Sequence, residues 1–233
     1  MICWRPPGPY EVAFTTREGG VSEGPFRSLN LGRMLGDDPE RVDENRRRAC
    51  AVIGADEQRL ALNFQRHTEI VNRAEAGRRG ELGDGLWTDE PDVPVLALGA
   101  DCALIALART NGDRPGLAVL HAGWKGLLAG IAESGVAALG GKPAAVVGPA
   151  IGPCCYEVQE DVAAPFRARF GSDVVREGRL DLWRAAELAL TRAGCASVER
   201  LDLCTACGPD RFFSYRRDGK PRGGHGVLAR VAT

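Results

Sequence analysis

Histidine is scarce in this chain, and scarcity makes each one informative: only His67, His121 and His225 occur. His121 lies in Val119-Leu120-His121-Ala122-Gly123-Trp124, where an apolar strand-like run ends, small residues follow and a helical pattern begins. A strand-to-helix turn of this kind displays a side chain at a sheet edge and aims backbone N–H groups at a ligand. Cys102 lies in Gly99-Ala100-Asp101-Cys102, a polar pair interrupting a second apolar run. Such an interruption costs burial energy unless the groups are paired or bind something. His67 follows the strand-like Leu62-Asn63-Phe64-Gln65. Two imidazoles and a thiolate make a His2Cys set that holds zinc with a fourth position open to water or substrate. Without metal, the same trio reads as a cysteine nucleophile with a histidine base. Read singly, His121 is equally a satisfied core histidine and Cys102 a structural cysteine. Spacing along the chain does not itself bring the three together.

The same shortage bears on copper. Copper(II) sites draw chiefly on imidazole, so three histidines cannot furnish several copper centres, and a multicopper oxidase is a poor reading on ligand counting. Eight cysteines with no secretory leader in view predict reduced thiols in a cytoplasmic protein. Cys50, inside a helical pattern, reads as core. His67-Thr68-Glu69 with Cys204-Thr205-Ala206-Cys207 superficially resembles a nucleobase-deaminase signature. The halves lie over a hundred residues apart and Leu203 stands where that signature has proline, so the assignment is rejected. Cys204 and Cys207 also suit a redox pair or half of a structural zinc site. No second C-x-x-C completes a zinc ribbon, however. Cys154-Cys155, if extended, points its side chains in opposite directions, so their joint ligation of one metal is not expected.

Positioning such residues takes alternating strands and helices. Residues 10–17, 93–108, 117–121 and 144–147 read as strands, the second as two strands or one long bent one. Asp37-Asp38-Pro39 opens a helix that stops at Gly54, and a helix with an aspartate cap covers residues 181–193. Residues 127–139 have helical spacing and a Gly140-Gly141 stop. The tail, residues 201–231, alternates strand-like patches with turns. No repeat or biased linker divides the 233 residues, which are read as one α/β domain of layered sheets and helices. A net charge of -1 and 6% aromatic residues give no footprint for nucleic acid or an anionic membrane. No apolar run is long enough to span a bilayer. A monomer is expected.

The motifs taken together resemble one family. Asp84-Gly85-Leu86-Trp87-Thr88-Asp89, Gly99-Ala100-Asp101-Cys102, HAGWKG from His121, GPAIGPCCYEV from Gly148 and LCTACGPDRFFSYRRDG from Leu203 are similar to motifs of the YfiH-like, laccase-domain family. The resemblance implies a single-domain α/β/β/α sandwich with mixed sheets and zinc held by His67, Cys102 and His121. It implies phosphorolysis of adenosine, inosine and 5′-methylthioadenosine, with deamination of adenosine, so the partners are a purine nucleoside and phosphate. Asn30 and Arg46 match family positions that look like substrate or phosphate contacts. A guanidinium fork suits phosphate, although Arg46-Arg47-Arg48 also reads as a solvated charge run. The chain departs from the family at Gln65-Arg66-His67-Thr68, at Gly208 and at Gly223-Gly224-His225, where Arg222 is a candidate replacement for a missing arginine.

Glu69, Asp101 and Asp84 are acid–base candidates by position. Two other functions remain open: a cysteine hydrolase acting on an amide-like bond of a peptidoglycan precursor, and a nucleoside-sensing protein without turnover.

Overall fold

The computed structural model describes residues 1–111 and 114–232. It contains two six-stranded mixed sheets. One runs in the order Ile2–Trp4, Tyr10–Phe14, His225–Val231, Val95–Gly99, Ala61–Phe64, Arg79–Leu82. The other runs Ser197–Arg200, Ala144–Val147, Ala103–Ala108, Leu117–Ala122, Gly85–Thr88, Val71–Arg73. The residues of the central strands alternate between two buried environments. Leu104, Ala106 and Ala108 join Val12, Phe14, Val95 and Val227 in the layer between the sheets. Ala103, Ile105 and Leu107 face the other way, into helices Ile131–Leu139, Glu160–Phe170 and Leu182–Arg192. On the far side, Ala13, Leu96 and Leu228 pack under helix Pro39–Val52 through Ala49 and Cys50. A strand buried on both faces reads as a continuous apolar run, which is why residues 103–108 and 117–120 are apolar throughout. The result is the α/β/β/α sandwich.

Residues 93–108 form two strands, and they belong to different sheets: Val95–Gly99 to one and Ala103–Ala108 to the other. The turn through residues 100–102 therefore hands the chain from sheet to sheet. Other expectations are revised. The predicted helix over residues 127–139 is two helices, Trp124–Ala129 and Ile131–Leu139, parted where Gly130 adopts φ +108° and caps the first. The tail holds fewer strands than its alternation predicts; it is mostly irregular, with helix Tyr215–Asp218 and the long strand His225–Val231. Among the described residues no helix is long and apolar enough to cross a membrane.

His225 belongs to the core. It is fully buried, its ring lies 5.5 Å from that of Phe212, and neither ring nitrogen has a hydrogen-bond partner among the described residues. Burial, then the charges of Arg217 and Arg222, push its pKa down to about 3. The unfolded chain binds this proton below about 6.5 while the folded chain refuses it until about 3. Stability is thus fully present above the unfolded value and falls as pH drops through that window, by up to about 1.4 kcal/mol per pH unit from this residue. Urea midpoints of the wild type and His225→Phe at pH 7 and pH 5 should show a smaller acid loss in the variant. An equal loss in both would contradict this.

Candidate metal centre

His67, Cys102 and His121 converge. One donor atom of each lies within 4.8 Å of the others. Cys102 Sγ is 3.7 Å from His67 Nε2, and the two imidazoles meet edge to face at 4.8 Å between centroids. Each residue arrives from a different element at the seam between the sheets. His121 is the fifth residue of strand Leu117–Ala122, Cys102 closes the sheet-to-sheet turn, and His67 sits in the loop after strand Ala61–Phe64. His67 and Asp101 are both left-handed, at φ 63° and 92°. Non-glycine residues reach that region only when their surroundings over-determine it.

What over-determines His67 is Asp84. This buried carboxylate accepts hydrogen bonds from the backbone N–H groups of Arg66 and His67, both at 3.0 Å, and of Thr68 at 2.7 Å. The Thr68 hydroxyl donates to it at 2.7 Å, and His121 Nδ1 donates to it at 2.7 Å. With Nδ1 committed, His121 presents Nε2 toward Cys102, the arrangement that orients a metal-ligating histidine. Burial works against ionisation of Asp84, but the bonds from His121 and Thr68 outweigh it and hold the carboxyl well below the usual carboxylate range. Burial likewise opposes charge on Cys102 and His121. Their mutual attraction prevails, drawing the thiol down to about 6 and pushing the imidazole up to about 10. The attraction favours the thiolate, which is the ligating form of the cysteine, and a metal would take the place of the proton on His121 Nε2.

Neighbouring residues complete the seat. The Gln65 side chain bridges to the Leu98 backbone with two bonds of 2.8 Å, tying the His67 loop to the neighbouring strand. Gly123 is required by close approach: a Cβ there would lie 2.7 Å from His67 Cδ2 and 2.8 Å from Cys102 Sγ. Asp101 is not free for acid–base work, because its carboxylate accepts from Thr205 Oγ1 and the Arg216 N–H, each at 2.6 Å. Glu69 is exposed and lines neither of the cavities that reach the trio.

Two cavities open onto the trio. One, of about 420 Å3, brings His67 and Cys102 together with Trp124, Tyr156, Tyr215, Lys220 and Arg222. The other, of about 480 Å3, has all three residues in its lining, together with Phe64, Arg46, Arg79 and Arg222. Both volumes fall in the range of small-molecule sites. Arg222 is shared by both, and its Nε is buried without a partner among the described residues.

The structure separates the two expected contact residues. Asn30 is fully buried and lines neither cavity. Its amide donates to Asp37 Oδ2 at 2.9 Å and accepts from the N–H groups of Gly32 and Gly224, so it clasps two loops. Arg46 does face the larger cavity, and it is buried, unlike Arg47 and Arg48. Its guanidinium donates to Leu31 O at 2.8 and 3.0 Å. The solvated-face reading therefore fails for Arg46. The expectation for Cys154-Cys155 also fails: the pair lies in a turn, not an extended segment, and both thiols approach Cys207.

A centre of this construction, two imidazoles and a thiolate at a sheet seam beneath paired cavities, defines a class of protein. Residues 11–231 match the family described as multi-copper polyphenol oxidoreductase laccase, and the chain belongs to that family. It is 43% identical over 222 residues to the purine nucleoside phosphorylase of Deinococcus radiodurans, covering 91% of this chain and 85% of that protein. It is 36% identical over 228 residues to a purine nucleoside phosphorylase of Pseudomonas aeruginosa, covering 93% and 92%. The crystal structure of YlmD from Geobacillus stearothermophilus matches with a TM-score of 0.88 at 31% identity, covering 97% of this chain and 93% of that one.

If Asp84 sets the site, Asp84→Asn should weaken zinc binding about 10- to 100-fold while leaving the fold intact by circular dichroism. Competition against a chromophoric chelator measures this, and an unchanged affinity would contradict the assignment.

Proposed function

We propose that this chain is a zinc-dependent, cytoplasmic purine nucleoside phosphorylase, acting as a monomer on adenosine, inosine and 5′-methylthioadenosine and also deaminating adenosine. The observation that carries the reading is the converged His67–Cys102–His121 set beneath cavities that share Arg222, whose Nε is buried without a partner among the described residues. The relatives from Deinococcus radiodurans and Pseudomonas aeruginosa are purine nucleoside phosphorylases, which supports the phosphorolysis. The donors fit zinc: two imidazoles and a thiolate leave a fourth position open, and Asp84 fixes the His121 tautomer. Zinc, when bound, supplies a Lewis acid that polarises an oxygen or nitrogen at that open position.

The chain's own residues account for binding and orientation. Trp124, Tyr156 and Tyr215 offer aromatic surface for a purine, and Arg222 and Lys220 offer cations for phosphate. Phosphorolysis forms a bond from phosphate oxygen to the ribose anomeric carbon and breaks the bond to the purine nitrogen, which leaves with a proton. Cations at the phosphate side hold the nucleophile in line and cost no reorganisation as charge develops. Deamination instead exchanges the purine amino group for oxygen from water and releases ammonia.

One observation favours a second reading. The Cys102 thiol, drawn down to about 6, faces His67 Nε2 at 3.7 Å, as a cysteine nucleophile faces its base. Amide hydrolysis that survives complete demetallation would support it.

Incubation of metal-analysed protein with adenosine, with and without phosphate, followed by chromatography, separates these outcomes. The proposal predicts adenine and ribose 1-phosphate only with phosphate, and inosine without it. Bound nucleoside and bound zinc with no turnover would sink both activities and favour a sensor. Cys102→Ala should lose zinc and activity together. Arg222→Gln should keep its zinc and raise KM for phosphate at least about tenfold, as expected for a lost charged contact. An unchanged KM would remove Arg222 from the phosphate site.

A further inference from the structure

A second set of metal-ligating side chains lies outside the trio. The thiols of Cys154, Cys155, Cys204 and Cys207 all lie within 4.8 Å of one another. Cys207 Sγ is 3.5 Å from Cys154 Sγ and 3.3 Å from Cys155 Sγ. We propose that these four cysteines bind one tetrahedral zinc ion that clasps together two loops of the pocket wall. The proposal uses none of the residues of the first centre and does not rest on the proposed function.

Geometry carries it. Four sulfurs placed 2.3 Å from a tetrahedral ion stand about 3.8 Å apart, and the sulfurs here are already near that spacing. A disulfide needs about 2.0 Å, and all four are unpaired in the structure. Cys207 is nearly equidistant from Cys154 and Cys155, so a disulfide with either would strand the other, whereas one ion satisfies all. A four-iron cluster must place eight further atoms among its thiolates, and sulfurs this close leave no room for them. Softness of the donors and tetrahedral placement select zinc among common divalent ions.

The local backbone is also prepared for it. The Cys204 loop runs beside residue 150, with Ala150 N donating to Leu203 O at 3.2 Å and Thr205 N to Ala150 O at 3.0 Å. The Gly152 N–H donates to Cys204 Sγ at 3.3 Å, a bond that suits a metal-bound thiolate. The turn at residues 153–155 then brings two adjacent thiols round to the Cys204-x-x-Cys207 pair. Cys154 and Cys207 are exposed, so an ion has a way in. Four protein donors leave no open position, which makes the site structural and not catalytic.

Its position gives the ion a purpose. Tyr156, next to Cys155, lines the smaller cavity, and the Glu157 carbonyl accepts from Arg216 at 3.0 and 3.1 Å. Thr205, next to Cys204, donates to Asp101 beside Cys102. Holding the four cysteines together thus holds both the wall residue Tyr156 and the partner of the Asp101 turn.

Metal analysis of the full-length protein, with Cys102→Ser as background, tests this separately from the first centre. Cys102→Ser should retain one zinc per chain, and its cobalt-exchanged form should show the intense thiolate-to-cobalt band and ligand-field spectrum of a tetrahedral tetrathiolate. Adding Cys204→Ser and Cys207→Ser should abolish both. Should that triple variant fail to fold, the metal content and cobalt spectrum of Cys102→Ser decide alone. One zinc in both wild type and Cys102→Ser upholds this site while removing the first. Absence of zinc from Cys102→Ser, iron in its place, or a disulfide among the four would overturn the proposal.

Discussion

The Asp84 carboxylate is the contact on which the rest of the site depends. It sits at the start of strand Gly85–Thr88 and gathers three successive backbone N–H groups, one hydroxyl and one imidazole. A carboxylate buried this deeply is costly unless its oxygens are saturated, and here several donors share the task. In return it pins the loop that holds His67 in a left-handed conformation and turns His121 so that Nε2 faces inward. Backbone pairing reinforces the link, since the His121 N–H donates to the Asp84 carbonyl at 2.7 Å.

The sandwich explains why such a residue works where it does. The chain crosses between sheets at residues 100–102, so Cys102 lies on the seam, with His121 on one sheet and the His67 loop leaving the other. A seam offers rigid strands on either side and irregular backbone between them, which lets side chains from distant segments meet. Gly123 completes the approach by leaving out the one atom that would collide with both His67 and Cys102. The family's description speaks of several coppers. This chain has three histidines, and the third, His225, is a neutral residue of the core.

Much of this was legible in the sequence because it depends on local pattern. Apolar runs of the right length mark strands buried on both faces, Asp38 and Asp181 mark helix starts, and the polar interruption at Asp101-Cys102 marks a turn that matters. The convergence of the trio was readable only through the family motifs, because spacing along the chain says nothing of which strands become neighbours. Asp84 was visible only as a positional acid–base candidate. Its work is done largely by accepting backbone hydrogens, which every residue type but proline offers. The four-cysteine cluster was misjudged for a definite reason. Adjacent cysteines diverge in a strand but converge in a turn, and the Gly152-Pro153 break before them was the available signal. Asn30 and Arg46 share a buried neighbourhood, yet one is consumed by loop contacts and the other looks into a cavity, a difference only tertiary packing decides.

The central claim is that His67, Cys102 and His121 form one metal-binding unit set by Asp84. Anomalous diffraction at the zinc edge, recorded on crystals of the zinc-loaded protein, addresses it directly. The account predicts a peak about 2.0–2.1 Å from His67 Nε2 and His121 Nε2 and about 2.3 Å from Cys102 Sγ. A zinc-loaded crystal with no anomalous peak at that position would contradict it.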